Sequence, residues 1–158
     1  MKIVKSNRTG FLLLVVLFYS CNSNYLYSEY EELPNEGWSS EISYDFKLEI
    51  EPGQDERSCD YLIALRHNND YRYANIFFFV DTKSPDGKLH RDTLQYLLAE
   101  PSGKWLGNGV GEIKHHLFEF KQDQLMTAGV HEFSITHGMR DEVLMGIEDI
   151  GLRIEQLN

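Results

Sequence analysis

The sequence has no apolar run long enough to cross a membrane. Its longest such run, at residues 11–18 (FLLLVVLF), has eight residues, whereas a spanning helix needs roughly 20. The run follows three basic residues, Lys2, Lys5 and Arg8. Its length suits the apolar core of a secretory signal peptide, commonly about 7–15 residues. We therefore predict that residues 1–20 are a signal peptide.

An A-x-A cleavage site is also absent, and Ser20 directly precedes Cys21 instead. A small residue before a cysteine is typical of a bacterial lipobox, in which the cysteine is acylated, for example with palmitate, and becomes the first residue of the mature chain. Such a cysteine carries enough acyl chains for stable anchoring. We predict lipidation of Cys21; the alternatives are an ordinary secreted protein cut elsewhere and an uncleaved anchor.

Cysteine is scarce, since Cys59 is the only one besides Cys21. If Cys21 is linked to lipid, no intramolecular disulfide can form, and the fold has to be stabilised by packing alone. Cys59 begins an apolar, strand-like stretch, so we predict a small buried side chain there. A reactive thiol, or one that pairs between molecules, is the alternative.

Basic residues are outnumbered, with 15 Lys and Arg against 25 Asp and Glu and a formal net charge of −10. Such a surface repels nucleic acid and anionic lipid headgroups, so we predict no nucleic-acid partner and membrane contact through the lipid. The stretch after Cys21 is polar and acidic, without strand or helix period. We predict that residues 21–37 form the lipidated N-terminus and a tether, and residues 38–158 one folded domain.

The usual signatures of catalysis and metal binding are missing. No Gly-x-Ser-x-Gly motif is present, and nothing marks a Ser or Cys as an activated nucleophile. The six histidines do not pair at metal-binding spacing on a well-defined element. His115 and His116 are adjacent, so they point to opposite faces of a strand. We predict neither an enzyme nor a metal or cofactor site.

The sequence does contain seven stretches with the period or apolar content of β-strands. Residues 43–50 alternate most clearly, and residues 76–80 (IFFFV) suit a central strand covered on both faces. Residues 139–145 would allow one or two helical turns. We predict a single antiparallel β-sandwich of about seven to eight strands, immunoglobulin-like or jelly-roll-like. The predicted strands lie at residues 43–50, 59–66, 73–81, 89–99, 112–121, 129–137 and 150–157.

A glycine-rich stretch, residues 103–112 (GKWLGNGVGE), has the composition of a ligand loop. A dinucleotide fingerprint requires G-x-G-x-x-G between a strand and a helix, and a P-loop requires Lys before Ser or Thr. Here Gly107, Gly109 and Gly111 alternate and a strand follows, so both phosphate motifs are disfavoured. We predict a loop or bulged strand start whose Trp105 packs on the core; stacking of Trp105 on a sugar is the alternative.

Several ordered motifs resemble the gliding-motility lipoprotein GldH family. Residues 98–113 (LAEPSGKWLGNGVGEI) are similar to its segment LAD-x-x-G-x-W-L-G-x-G, and residues 66–75 (RHNNDYRYAN) to its R-x-x-x-x-Y-x-Y-x-N stretch. Residues 85–93, 139–140 and 146–155 also agree with it, and the match covers nearly the whole mature chain. Small departures are Gly138, where the family is expected to have Ala, and Gln156, where Lys is common.

The resemblance implies a lipoprotein of the Bacteroidota cell envelope, associated with gliding motility and linked protein secretion, without catalytic residue or cofactor. We expect a non-enzymatic scaffold or assembly factor whose partners are the membrane and other envelope proteins. Because residues 22–24 lack the acidic cluster of a surface-export signal, we expect the domain to face the periplasm from the outer membrane. The residues singled out for interaction or packing are Trp105, Tyr71, Tyr73 and Arg140.

The alternative function is a glycan-binding lipoprotein with an aromatic stacking face. Its platform would consist of Trp38 or Trp105 together with Tyr71 and Tyr73. An exposed, planar row of these rings would favour glycan binding, whereas their burial would favour the scaffold.

Overall fold

The structure is built from antiparallel strands. The computed structural model describes residues 25–55 and 57–157, and no helix there is long and apolar enough to cross a membrane. Ten strands lie within these residues: β1 (Tyr25–Glu32), β2 (Trp38–Ser39), β3 (Tyr44–Ile50), β4 (Ser58–His67), β5 (Asn75–Lys83), β6 (Leu89–Leu97), β7 (Lys114–Leu125), β8 (Gly129–His137), β9 (Val143–Leu144) and β10 (Ile147–Gln156).

The strands form two four-stranded sheets and one short ribbon. The first sheet has the order β1-β10-β4-β7, the second has the order β3-β8-β5-β6, and β2 pairs with β9. Every pair is antiparallel. The predicted all-β antiparallel sandwich is confirmed. β1, β2 and β9 are strands that the sequence did not indicate.

The core follows from the two-residue period of the strands. On β3, Phe46, Leu48 and Ile50 are buried while the residues between them face solvent, as predicted. The same core contains Ile63 of β4, and Cys59 is a buried free thiol. Complete burial of a large apolar side chain contributes about 1.5–3 kcal/mol. Packing is therefore able to supply the stability that a fold without disulfides needs.

The prediction that β5 is covered on both faces is wrong. β5 does lie between β8 and β6, but its side chains alternate. Ile76, Phe78 and Val80 point into the core, whereas Phe77 is half-buried and Phe79 is exposed on the outer face. In the described residues no further layer packs on that face, and Arg91 lies over the Phe79 ring, 5.9 Å from its centroid. Three of these five consecutive apolar residues therefore pack in the core, and the other two lie on the open outer face.

The predicted tether is also wrong in the part that the structure describes. Residues 25–32 form β1, which pairs with β10 along its length. β1 is an edge strand on which Tyr27 alone is fully buried, so its sequence shows no alternation. Lipidation of Cys21 remains a prediction, because Cys21 lies outside the described residues.

The helical turns expected at residues 139–145 are not formed. Val143 and Leu144 form β9, in which Leu144 pairs with Trp38 of β2. Leu144 and Trp38 are buried, whereas Val143 and Met145 are exposed, so only part of the apolar spacing that suggested a helix belongs to the core.

The two ends of the sandwich carry different connections. At the end that we call the N-terminal end lie Tyr25, Leu157 and the β3–β4, β5–β6 and β7–β8 connections. The opposite end carries the segments that follow β1, β4, β6 and β8. The glycine-rich loop and the Arg140 segment both belong to the opposite end.

Candidate functional site

Tyr71 and Tyr73 lie in the segment between β4 and β5, at the end of the sandwich opposite the N-terminal end. The Tyr71 ring is buried, and its hydroxyl donates a hydrogen bond to the Asn75 carbonyl oxygen at 2.7 Å. Burial raises the pKa of Tyr71. The two tyrosine rings meet edge to face with centroids 5.9 Å apart. Tyr71 therefore belongs to the core, and it supports Tyr73 at the surface.

Trp105 lies in the glycine-rich loop and packs on the same core. Its ring is half-buried and meets His67 edge-on, with centroids 4.5 Å apart. The loop is fastened on both sides of the ring by a bridge between Trp105 and Ala99 and by a backbone hydrogen bond from Leu106 to Leu98 at 2.8 Å. Trp105 closes the end of the sandwich instead of presenting an open stacking face.

Two histidines on neighbouring strands form a buried pair under this loop. The ring nitrogens Nε2 of His67 on β4 and His116 on β7 are 3.2 Å apart, and the rings are stacked with centroids at 5.2 Å. His67 Nδ1 is 3.0 Å from the Asn68 carbonyl oxygen, which can only accept, so His67 carries its proton there. His116 then donates from Nε2 to His67.

Both members of the pair are held in the neutral form. Burial lowers the pKa of His67, and burial together with the neighbouring His67 and His115 lowers the pKa of His116 to about 4. Sequence reasoning missed the pair because the residues are 49 positions apart. The available signal was that His116 shares the face of Phe118 and Phe120 on one predicted strand and that His67 directly follows another, which was predicted over residues 59–66. His115, as predicted, lies on the other face of β7 and is exposed.

Gly107 is required where the loop crosses this pair. A Cβ atom built on Gly107 would lie 2.5 Å from His116 Nε2 and 2.9 Å from the His115 carbonyl oxygen. A glycine at this position lets the backbone approach the imidazole closely. The backbone of the glycine-rich stretch therefore covers the histidine pair. This is consistent with the predicted inter-strand loop.

The histidines do not assemble a site for a metal ion in the described part of the chain. Across residues 25–55 and 57–157, no three His, Cys, Asp or Glu side chains converge. His131 and His137 are buried separately, with Nε2 of each beside a backbone carbonyl oxygen, at 2.8 Å from Thr127 and 3.0 Å from Trp38. Each of these rings therefore contacts the backbone through a ring nitrogen that could otherwise bind a metal ion.

A groove opens on the outer side of the second sheet, next to Tyr73. It has a volume of about 530 Å³ and an apolar floor. The Tyr73 hydroxyl donates to the Asp141 carboxylate at 2.7 Å, and that hydrogen bond raises the pKa of Tyr73. Arg140 is exposed at the rim. The groove is lined by Tyr73, Asn75, Phe77, Gly138, Met139, Arg140 and Asp141.

Gly138 keeps the floor of the groove open. Its amide donates to the Phe77 carbonyl oxygen at 2.7 Å, which continues the sheet contact between β8 and β5. A Cβ atom at Gly138 would lie 3.1 Å from Phe79 and 3.2 Å from Phe77. A side chain at position 138 would therefore crowd both phenylalanines and narrow the groove beside Phe77.

The structure brings together part of the residue set predicted from the sequence. Tyr73 and Arg140 line one groove, Tyr71 supports it from the core, and Trp105 lies on the far side of His67. Sequence reasoning missed Phe77, Met139 and Asp141 as groove residues. The outward positions of the apolar β5 run were a signal for Phe77, but nothing local placed the β8–β9 segment against it.

The sequence of the chain is similar to a known protein family and to two named relatives. The family model described as "GldH lipoprotein" matches residues 25–154. The chain is 34% identical over 154 residues to "Gliding motility lipoprotein GldH homolog" of Christiangramia forsetii, covering 92% of this chain and 93% of that one. It is 30% identical over 161 residues to "Gliding motility lipoprotein GldH" of Flavobacterium johnsoniae, covering 97% and 99%.

Likeness to solved structures is weak. The infectious bursal disease virus VP2 subviral particle aligns with a TM-score of 0.35 at 11% identity, over 84% of this chain and 30% of that chain. A likeness of this size supports no argument.

Proposed function

The chain belongs to the GldH lipoprotein family, and on that premise we propose that it is a non-enzymatic scaffold or assembly factor for gliding motility and the protein secretion associated with it. The observation that carries the proposal is the family match over nearly the whole chain. We further propose that lipid on Cys21 anchors the protein in the outer membrane with its domain facing the periplasm. Its partners are then other envelope proteins.

The chemistry of the described residues supports a role without catalysis. Each buried histidine has a ring nitrogen within hydrogen-bond distance of a backbone carbonyl oxygen or of the other histidine of the pair. The groove contains a Tyr–Asp hydrogen bond and an arginine, but no Ser, Cys or His lines it. A Ser or Cys nucleophile with an adjacent His base is therefore not part of this groove.

The groove is the surface that we assign to the partner protein. Its floor is aromatic and apolar, and Arg140 makes no ion pair within residues 25–55 and 57–157. The exposed Arg140 guanidinium is therefore available to a carboxylate of a partner, on a chain whose net charge is −10. A partner segment with an apolar side chain next to a carboxylate would fill the groove and pair with Arg140.

Glycan binding is less well supported. Trp38 and Tyr71 are buried, and Trp105 is held edge-on against His67. The aromatic rings that would have formed a stacking row are used in packing. Tyr73 is left as a single surface ring, engaged with Asp141.

Site-specific photocrosslinking in native membranes tests the proposal. A crosslinkable residue at Arg140 is expected to capture an envelope protein, and the same residue at Leu89, exposed near the N-terminal end, is the matched control. Met139→Glu in the groove should abolish the Arg140 adduct without lowering the protein level. Recovery of glycan without protein, or identical adducts from both positions, would contradict the scaffold.

A genetic readout separates docking from mere abundance. The wild-type chain should restore spreading to Flavobacterium johnsoniae that lacks its own relative, and Met139→Glu at an equal protein level should not. Full restoration by Met139→Glu would remove the groove from the function.

A further inference from the structure

We propose that the N-terminal end of the sandwich faces the membrane and that the groove end is held away from it. The proposal rests on lipidation of Cys21 and deepens the proposed function, because it states how the anchored domain is oriented. It names the surface that meets lipid and the distance at which a partner protein is met.

The chain between the lipidated cysteine and the first strand is short. β1 begins at Tyr25, only four residues after Cys21. A chain extends by at most about 3.6 Å per residue, so the two α-carbons are within about 14 Å of each other. A tether of the predicted length, up to residue 37, would have allowed the domain several times that reach. The domain is therefore confined close to the bilayer.

The start of β1 is fixed to the rest of the sheet. Tyr25 pairs with Glu155 and Tyr27 with Ile154 of β10. The Arg153 guanidinium lies over the Tyr25 ring, 4.4 Å from its centroid, and Tyr27 is buried in the core. Peeling β1 away to lengthen the link would expose Tyr27 and break these contacts. The bound on the link therefore holds for the folded protein.

The end of the sandwich that is brought to the membrane carries exposed apolar and aromatic side chains. Tyr25, Leu125 and Leu157 are 44%, 63% and 37% exposed. They lie at the same end of the first sheet, because Tyr25 pairs with Glu155 of β10, and Ser58 of β4 pairs with Leu125 and accepts a hydrogen bond from the amide of Leu157. Exposed Tyr and Leu side chains fit the interface between headgroups and acyl chains.

Charge does not hold this end on the membrane. The acidic residues Asp60, Asp123 and Glu155 lie near the same row. Acidic residues are not attracted to lipid headgroups, so the contact depends on the lipid anchor. The domain without the anchor is accordingly expected not to bind vesicles.

The position of the groove follows from the same orientation. β10 runs from Gln156 near the membrane-facing end to Ile147 at the opposite end. Ten residues at about 3.3 Å each span roughly 30 Å. The groove and the glycine-rich loop therefore lie about 30 Å further from the bilayer than Leu125.

Fluorescence quenching on vesicles tests the orientation. The full lipidated protein is placed in vesicles of phosphatidylethanolamine and phosphatidylglycerol that carry a headgroup-attached quencher. Single dyes are attached to Leu125→Cys, Leu117→Cys or Val110→Cys. Cys59 is buried and stays unlabelled in the folded protein, and Cys21 is blocked by its lipid. Leu117 marks the outer face of the first sheet, and Val110, 98% exposed, marks the opposite end.

We expect strong quenching at position 125, weaker quenching at 117 and none at 110. Insertion of about twelve Gly and Ser residues before Tyr25 lengthens the link to a mean reach of roughly 20 Å and should reduce quenching at 125 while the protein still floats with the vesicles. Stronger quenching at 117 than at 125 would show that the domain lies on its side and would overturn the proposal. Equal quenching at all three positions would also overturn it.

Flotation separates this proposal from the one on which it rests. Protein that does not float with the vesicles has no lipid anchor, which refutes both proposals. Protein that floats but shows the wrong order of quenching refutes the orientation alone.

Discussion

At the scale of single residues, the histidine pair predicts how stability changes with pH. The folded-state pKa of His116 is about 4, below an unfolded value of about 6.5. Between these values the unfolded chain binds more protons, so the free energy of unfolding falls as the pH falls and is largest above pH 6.5. Urea unfolding at pH 7.5 and pH 5 should show the loss, on the order of 2 kcal/mol.

Variants attribute that loss to the pair. His116→Leu is expected to reduce the pH dependence, because it removes the histidine whose pKa is lowered to about 4, while burial still lowers the pKa of the remaining His67. His115→Leu should change the pH dependence much less, since His115 is exposed on the other face of β7 and is the smallest of the three causes that lower the pKa of His116. His137, whose pKa burial also lowers, contributes a background slope in all three proteins. An unchanged slope in His116→Leu would contradict the assignment.

A second residue-scale prediction concerns the ion pair between Arg66 and Asp149. Asp149 is buried on the first sheet, whereas the Arg66 side chain is 40% exposed. Arg66→Ala leaves a buried carboxylate without its partner, so it should cost about 3 kcal/mol, at the low end for buried pairs because solvent reaches the vacated position. Arg91→Ala removes an exposed pair with Asp81, which solvent screens, and should cost far less. Equal losses in thermal or chemical unfolding would show that burial of Asp149 does not matter.

At the scale of elements, the sequence predicted strands wherever one face is buried and the other is wet. β3, β7 and β8 show that alternation, and their positions agree with the prediction. β1 does not, because an edge strand with one buried side chain has no period to detect. β9 does not, because two residues are too short for any pattern.

The same reasoning explains what could be predicted of the site. Tyr73 and Arg140 came from the order of motifs along the chain, whereas Phe77 and Asp141 became neighbours only through the pairing of β5 with β8 and the path of the segment after β8. The His67–His116 contact likewise depends on strand register, which the turn lengths of this chain did not determine. Local chemistry was readable, and long-range pairing was not.

An element-scale prediction tests whether β1 is a structural strand. Tyr27→Ala removes a buried ring and its hydroxyl contact with Glu29, and it should cost about 3 kcal/mol. Tyr25→Ala removes an exposed ring from a cation–π contact and should cost under about 1 kcal/mol. Chemical unfolding of both variants measures the difference. A negligible effect of Tyr27→Ala would restore the interpretation of residues 25–32 as a tether.

At the scale of the whole molecule, the fold is expected to open as one unit. The chain crosses repeatedly between the two four-stranded sheets, at β3–β4, β4–β5, β6–β7 and β7–β8, and β1 at the start of the domain pairs with β10 at its end. Neither sheet can therefore separate without breaking contacts contributed by distant parts of the chain. Because the described chain holds one free cysteine and no disulfide, that cooperativity comes from packing.

Cys59 makes this cooperativity measurable. Its side chain is fully buried at the N-terminal end, and burial raises the pKa of its thiol. In a Cys21→Ser protein, a thiol reagent should modify Cys59 only through the unfolded state, so the rate falls in proportion to the folding equilibrium constant. The destabilised Arg66→Ala variant, altered near the opposite end, should then raise the rate by about the same factor as it raises the unfolded population. A rate that does not respond to Arg66→Ala would mean that the N-terminal end opens locally, and the close link between the anchor and a rigid sheet would no longer hold.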